Sequence, residues 1–315
     1  MRRDRIFAIA LITLCFISAF GNWLGGSIRE SPSDLTSALP AEVALFDIYG
    51  GISDSAAPGL LGGSTGVSSN SVIAGIRKAR EDDVKAILLR INSPGGTAAA
   101  SQAIFDELMR AREETDMQIV ASLGDVAASG GYFVASAAHH IVTNPTTVTG
   151  SIGVIIRTQN LSPLLDKVGV ENSTIQSGEY KDILSPYRNP KPAETELLQG
   201  IVTESYQQFL DSIIAGRDIS LEKLKPLADG RIFTGTQAQK AGLADSLGNY
   251  ADALDKVAEL AKIDGEPRVR DYMKGGGVLQ RVLGNSLSIS LEQLLPGYQQ
   301  ARFSSSQKVP LALME

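Results

Sequence analysis

Cysteine is almost absent from this chain of 315 residues, and histidine nearly so. Cys15 is the single cysteine, so no internal disulfide forms and no cysteine cluster suggests zinc. His139 and His140 are the only histidines, and they sit side by side. That scarcity restricts which catalytic machines the chain can build. A basic excess is also missing: 29 Lys and Arg stand against 35 Asp and Glu, a net charge of −6. Such a balance gives no electrostatic footprint for nucleic acid. Nor is the chain poor in apolar residues. Hydrophobic residues make up 43%, enough for a sizeable core and against general disorder. Neither a metal nor a cofactor is expected.

The N-terminus does carry a long apolar run. "MRRDR" is basic, and residues 6–20, "IFAIALITLCFISAF", are uncharged and apolar. With Trp23 and Leu24 the run approaches the roughly 20 residues of a membrane helix. Two readings stand. A cleaved signal peptide requires small residues before the cut, which Ala19 and Gly21 supply only in a poor pattern. A retained anchor over residues 1–24 fits the length and the interfacial Trp23 better. Both keep Arg2, Arg3 and Arg5 inside and place the bulk of the chain on the extracytoplasmic side of the cytoplasmic membrane.

Residues 25–40 read as a stalk, small, polar and proline-containing. An apolar strand follows around Val43–Tyr49, then a Gly- and Ser-rich loop over 50–70. "SVIAGIRKAREDD" shows helical spacing, "VKAILLRINS" (84–93) reads as a continuous buried strand, and "ASQAIFDELMRARE" as a helix. "MQIVASLG" reads as another strand. This alternation predicts parallel β-structure in an α/β fold. A strand is expected over 149–156, a short helix in "LSPLLDKVG" and a long amphipathic helix over 193–217. Another helix is expected near "YADALDKVAELAKI". The organisation expected is therefore an anchor (1–24), a stalk (25–40), one α/β domain (41–272) and a C-terminal amphipathic segment with a loose tail (273–315).

Two short motifs can carry chemistry. "INSPGG" (91–96) ends a buried strand and leaves glycine N–H groups bare at the start of a helix, where an oxyanion is favoured. The bland reading is a strand-to-helix turn. "AASGG" repeats the pattern after the next strand. Ser129 opens the expected helix with Gly130 behind it, and the Gly96 and Gly130 amides together could make a two-donor oxyanion hole. The bland reading of Ser129 is an N-cap, although an N-cap does not require small residues on both sides. A serine nucleophile needs a base. The histidines fall about three turns down the helix expected to start at Ser129 and point away from its hydroxyl. A lysine remains, provided burial lowers its pKa from about 10 toward neutrality. The residues alone do not choose Lys181 over Lys167.

"INSPGG", "ASGGYF", "TGSIGVI", "SGEYKDILSPYR" and "DGRIFTGTQAQKAGLADSLG", in this order, resemble the signal peptide peptidase A family of membrane-anchored serine proteases, in its half-length, single-domain branch. The resemblance covers roughly residues 41–265. It implies a crotonase-like fold of repeated ββα units, related to that of the caseinolytic protease, and a Ser–Lys dyad. The nucleophile motif falls on Ser129 and the general-base motif on Lys181. The oxyanion-hole glycines fall on Gly96 and Gly130, and the serine that supports the lysine falls on Ser151. The substrates it implies are cleaved signal peptides and other unfolded polypeptides. It also implies a membrane partner and a homo-oligomeric ring, of eight subunits in half-length members, in which one protomer's serine faces its neighbour's lysine. Two alternatives stand beside it: a crotonase-like acyl-CoA enzyme, which a membrane segment and the lack of an obvious acidic base near the glycine loops oppose, and a catalytically inactive membrane scaffold, which the presence of both Ser129 and Lys181 opposes.

Overall fold

A computed structural model describes residues 40–55, 57–58 and 64–273. The expected anchor, stalk and tail lie outside these residues, apart from Pro40 and Met273. No helix among the described residues is long and apolar enough to cross a membrane.

The strands are β1 (Val43–Tyr49), β2 (Ile52–Ser53), β3 (Ala57–Pro58), β4 (Ser64–Thr65), β5 (Val67–Ser68), β6 (Ala86–Ser93), β7 (Gln118–Ala128), β8 (His140–Thr143), β9 (Val148–Gly150), β10 (Ile232–Thr234), β11 (Ser246–Leu247) and β12 (Val269–Asp271). The helices are α1 (Ser69–Glu81), α2 (Ala98–Glu114), α3 (Gly130–Ala135), α4 (Ser162–Val168), α5 (Pro192–Arg217), α6 (Leu221–Leu224), α7 (Gly235–Lys240) and α8 (Tyr250–Leu260). The main sheet runs β10-β9-β7-β6-β1-β12, with β8 on β7 and β11 on β8. Its pairings are parallel except for β9–β10.

The apolar runs of β1 and β6 follow from burial on both faces, as parallel strands between helices require. On one face Val43, Ala86, Leu88, Val120 and Val142 pack with Ala253 and Val257 of α8. On the other, Phe46 closes on Gly75 of α1, where an added Cβ would lie 2.7 Å from the ring. α2, α3 and α5 meet through Phe105, Phe133 and Phe209, with ring centroids 5.4 Å and 4.5 Å apart.

β7 has two partners on one side. Its first half pairs with β8 (Val120–Leu123) and its second half with β9 (Val126–Ala128). The switch is made at a bulge, where the register against β6 shifts between Ile91 and Ser93. The Asn92 side chain fills the gap by accepting the Val126 N–H at 3.1 Å. A bulge re-aims the strand beyond it, and here that strand delivers Ser129.

Three local expectations are corrected. The strand expected over 149–156 stops at Gly150, because Gly150 (φ 78°) and Ser151 (φ 51°) are left-handed and break the extended backbone. The helix after Ser129 ends at Ala135, so His140 begins β8 and His139 immediately precedes it, instead of both lying down a helix. The 50–70 loop, expected to be irregular, holds two short strand pairs, β2 with β5 and β3 with β4.

Candidate active site

Ser129 sits between the end of β7 and the first turn of α3. Its backbone is at φ 52°, ψ −122°, a conformation that non-glycine residues adopt only under constraint. The constraints are visible. The Ser129 N–H donates to the Gly150 carbonyl at 2.8 Å, and its own carbonyl accepts the Phe133 N–H at 2.9 Å. Between these two bonds the side chain is thrust out at a sharp strand-to-helix elbow, the geometry that exposes a hydroxyl at the top of a sheet.

The small neighbours of Ser129 are explained by a second turn pressed against the elbow. A Cβ on Gly95 (φ 107°) would stand 2.8 Å from the Gly130 nitrogen and 2.9 Å from the Ser129 Cβ. A Cβ on Gly130 would stand 3.1 Å from the Gly96 nitrogen. The two turns thus bring the Gly96 and Gly130 amides to one place. Gly96 is held from behind: Ile52 donates to the Gly95 carbonyl at 3.0 Å and accepts from Thr97 at 2.9 Å. That bridge leaves the Gly96 N–H turned the other way.

Ser129, Gly96 and Gly130 line one cleft of about 810 Å³. Ala98 and Ala99, Phe133 and Phe209, and the Gly153–Ile155 segment supply its apolar walls. Asp106 is the one charged residue among those lining it, and it accepts a 2.7 Å bond from Gln102. Ser151 follows Gly150, so it lies next to the elbow, and its own N–H is fixed by the Arg231 carbonyl at 2.8 Å.

Lys181 is elsewhere. It lies in an exposed loop of successive turns and does not line the cleft. The loop is locked by Arg188, which forks onto both Asp182 carboxylate oxygens at 2.7 Å and also onto Glu194 at 2.8 and 2.6 Å. Arg188 holds the Asp182 and Glu194 carboxyls down to about 2. Sequence reasoning missed this clamp, since partners six residues apart in a loop follow no helical or strand period.

The histidines are excluded as partners by position. His139 meets Ile119 at the start of β7, donating to its carbonyl at 2.8 Å and accepting its N–H on Nδ1 at 3.0 Å. Ser129 lies at the other end of that strand, on the order of 30 Å away. Partial burial, with Arg112 nearby, lowers the His139 pKa to about 4. His140 turns to Ser246 at 2.9 Å.

Comparison with known proteins settles the lineage. Residues 111–264 match the model of peptidase family S49, and residues 42–147 match that of Clp protease. A Synechocystis sp. protein assigned as a protease, slr0021, is 43% identical over 68% of this chain and 81% of its own length. The chain belongs to peptidase family S49. An Enterococcus faecium protein assigned as signal peptide peptidase SppA is 36% identical over 68% of the chain and 62% of its own length. The chloroplastic serine protease SPPA of Arabidopsis thaliana is 36% identical over 70% of the chain, which spans 33% of that longer protein. Family S49 membership makes this chain a serine peptidase with a mixed α/β, Clp-like fold.

Proposed function

We propose that this S49 peptidase is a membrane-anchored endopeptidase with Ser129 as nucleophile and Lys181 as general base. Its substrates are cleaved signal peptides and other unfolded polypeptides. One observation carries the reading: the constrained Ser129 elbow opens into an apolar cleft beside two converging glycine amides. An extended peptide lies along the cleft between the Gly96–Ala98 and Gly153–Ile155 edges. The Ser129 Oγ attacks the scissile carbonyl carbon, and its proton passes to the neutral Lys181 amine. The carbonyl oxygen takes the negative charge and is met by the Gly96 and Gly130 N–H groups. When the C–N bond breaks, the lysine returns the proton to the leaving amine, and water then hydrolyses the acyl-enzyme by the same relay. Ser151, beside the elbow, holds the lysine amine.

The place of Lys181 supports pairing between subunits. The segment carrying it leaves Ile155, Leu164, Val168 and Ile175 exposed, Ile175 at 99%. A second copy of this chain covers such residues, brings Lys181 to its neighbour's Ser129 and, repeated eight times, closes a ring that admits only extended chains. The apolar run at 6–20 anchors the ring with the catalytic domains on the extracytoplasmic side. The name of the E. faecium relative supports the substrate class.

The test is casein digestion by purified residues 25–315 beside the Ser129→Ala variant. Digestion by the first and none by the second is expected; equal rates would remove Ser129 from the chemistry.

A further inference from the structure

Arg188 makes six hydrogen bonds with acceptors of its own loop and the first turn of α5. Two go to the Asp182 carboxylate, one to the Asp182 carbonyl at 3.3 Å, two to the Glu194 carboxylate and one to the Asn189 carbonyl at 3.1 Å. Glu194 is 1% exposed and also accepts the Lys191 N–H at 2.8 Å, which caps α5. Two buried-end carboxylates thus converge on one guanidinium, and a planar fork is the side chain that satisfies both at once. Asp182 is the immediate neighbour of Lys181. The backbone around them is otherwise held by isolated turns: Lys181 to Gly178 at 3.1 Å, Ile183 to Tyr180 at 3.1 Å and Ser185 to Asp182 at 2.9 Å. Leu184 pays a left-handed φ of 75° to keep that path.

We propose that Arg188 is a positioning residue for catalysis, fixing the Lys181 loop to the start of α5 through Asp182 and Glu194. The proposal rests on the reading of Lys181 as the base. A base must sit within hydrogen-bond reach of the serine when a neighbouring subunit presents it. The clamp supplies the fixed end. It also sets charge, because it pairs with Asp182, the lysine's neighbour in the chain, and with Glu194, while Glu179 pairs with Lys191 at 3.5 Å. Without Arg188 the Asp182 and Glu194 carboxylates stand uncompensated.

The experiment measures kcat and KM against pH on one peptide substrate for the wild type, Lys181→Ala, Arg188→Gln, Arg188→Lys and Asp182→Asn, all in the full chain, with thermal unfolding and subunit assembly followed in parallel. Arg188→Gln is expected to lower kcat by about 100-fold, the cost of a small misplacement of a reacting group. KM should stay within about threefold, and the alkaline-rising limb should move to higher pH. Arg188→Lys should recover only part, because an ammonium reaches one carboxylate and not both. A purely structural role lowers the amount of folded enzyme without moving the limb. If Arg188→Gln does not fold, Asp182→Asn carries the test, since it keeps Arg188 on Glu194 and frees the lysine's neighbour. A kcat loss of about tenfold or more in Asp182→Asn, at unchanged stability, is then expected. An inactive Lys181→Ala with wild-type kcat and pH profile in Arg188→Gln, or in Asp182→Asn if it alone folds, overturns the positioning role and leaves the base intact. An active Lys181→Ala instead overturns the base itself, and the positioning role with it.

Discussion

The Ser129 amide is tied to the Gly150 carbonyl at 2.8 Å, so the elbow at the end of β7 and the left-handed turn leading into Ser151 are one unit. Neither can shift without the other. That coupling explains why two residues 22 positions apart in the chain, Ser129 and Ser151, both hold positive φ values next to each other in space.

Gly95 is a sensitive neighbour of this unit. Gly95→Ala drives a Cβ into the Gly130 nitrogen and the Ser129 Cβ, at a φ that alanine resists. Displacing one oxyanion donor costs about 100- to 1,000-fold in kcat. The strained backbone should also lower stability by about 1–3 kcal/mol. Casein turnover and thermal unfolding of the variant check both.

The cleft walls predict specificity. Alanine, phenylalanine and glycine surfaces with one carboxylate, Asp106, favour cleavage after small or aliphatic residues such as Ala and Leu. Phe209 closes on Phe133 at 4.5 Å, so Phe209→Ala should widen the cleft and admit aromatic residues at the cut. The same change should cost about 3–5 kcal/mol of stability. A peptide library profiled by mass spectrometry reads the preference, and cleavage mainly after Lys or Asp would refute it.

The Ser129 turn is legible in the sequence, and the reasons are local. Ser129 stood out because Ala128, Gly130 and Gly131 around it are smaller than a cap requires, and the structure shows the close backbone approach that demands them. β6 was readable because burial on both faces makes a parallel strand continuously apolar. The chain after Gly150 was not, since apolar residues in "SIGVII" mimic a strand while two left-handed residues end it. Phe209 could not be assigned either: its role depends on where α5 docks, and no spacing along the chain encodes that.

Acid should destabilise the domain over two pH ranges. His139 is neutral in the fold, with its pKa lowered to about 4 from the usual 6.5. The unfolded chain therefore binds the proton first, and stability present above about pH 6.5 is lost as pH falls toward 4. Asp182 and Glu194, lowered to about 2, add stability above their ordinary carboxylate range that is lost as pH falls through about 2. Melting temperatures measured from pH 7 to pH 3 should fall throughout, and His139→Gln should flatten the stretch between 6.5 and 4.

Subunit pairing has its own readout. Inactive Ser129→Ala and Lys181→Ala subunits, dissociated, mixed and reassembled, should recover part of the wild-type rate, because some interfaces then hold both intact partners. If the mixture stays inactive while wild-type subunits treated alike regain activity, serine and lysine meet within one chain.

The most direct measurement of the central claim, that Ser129 is activated by Lys181, is the rate of covalent labelling by a fluorophosphonate as a function of pH. A single adduct mapped to Ser129 is expected, forming faster toward alkaline pH. Labelling should be slowed by about 1,000-fold or more in both Lys181→Ala and Lys181→Arg, since an arginine stays charged and accepts no proton. An adduct on another residue, or wild-type labelling of Ser129 in Lys181→Arg, would contradict it.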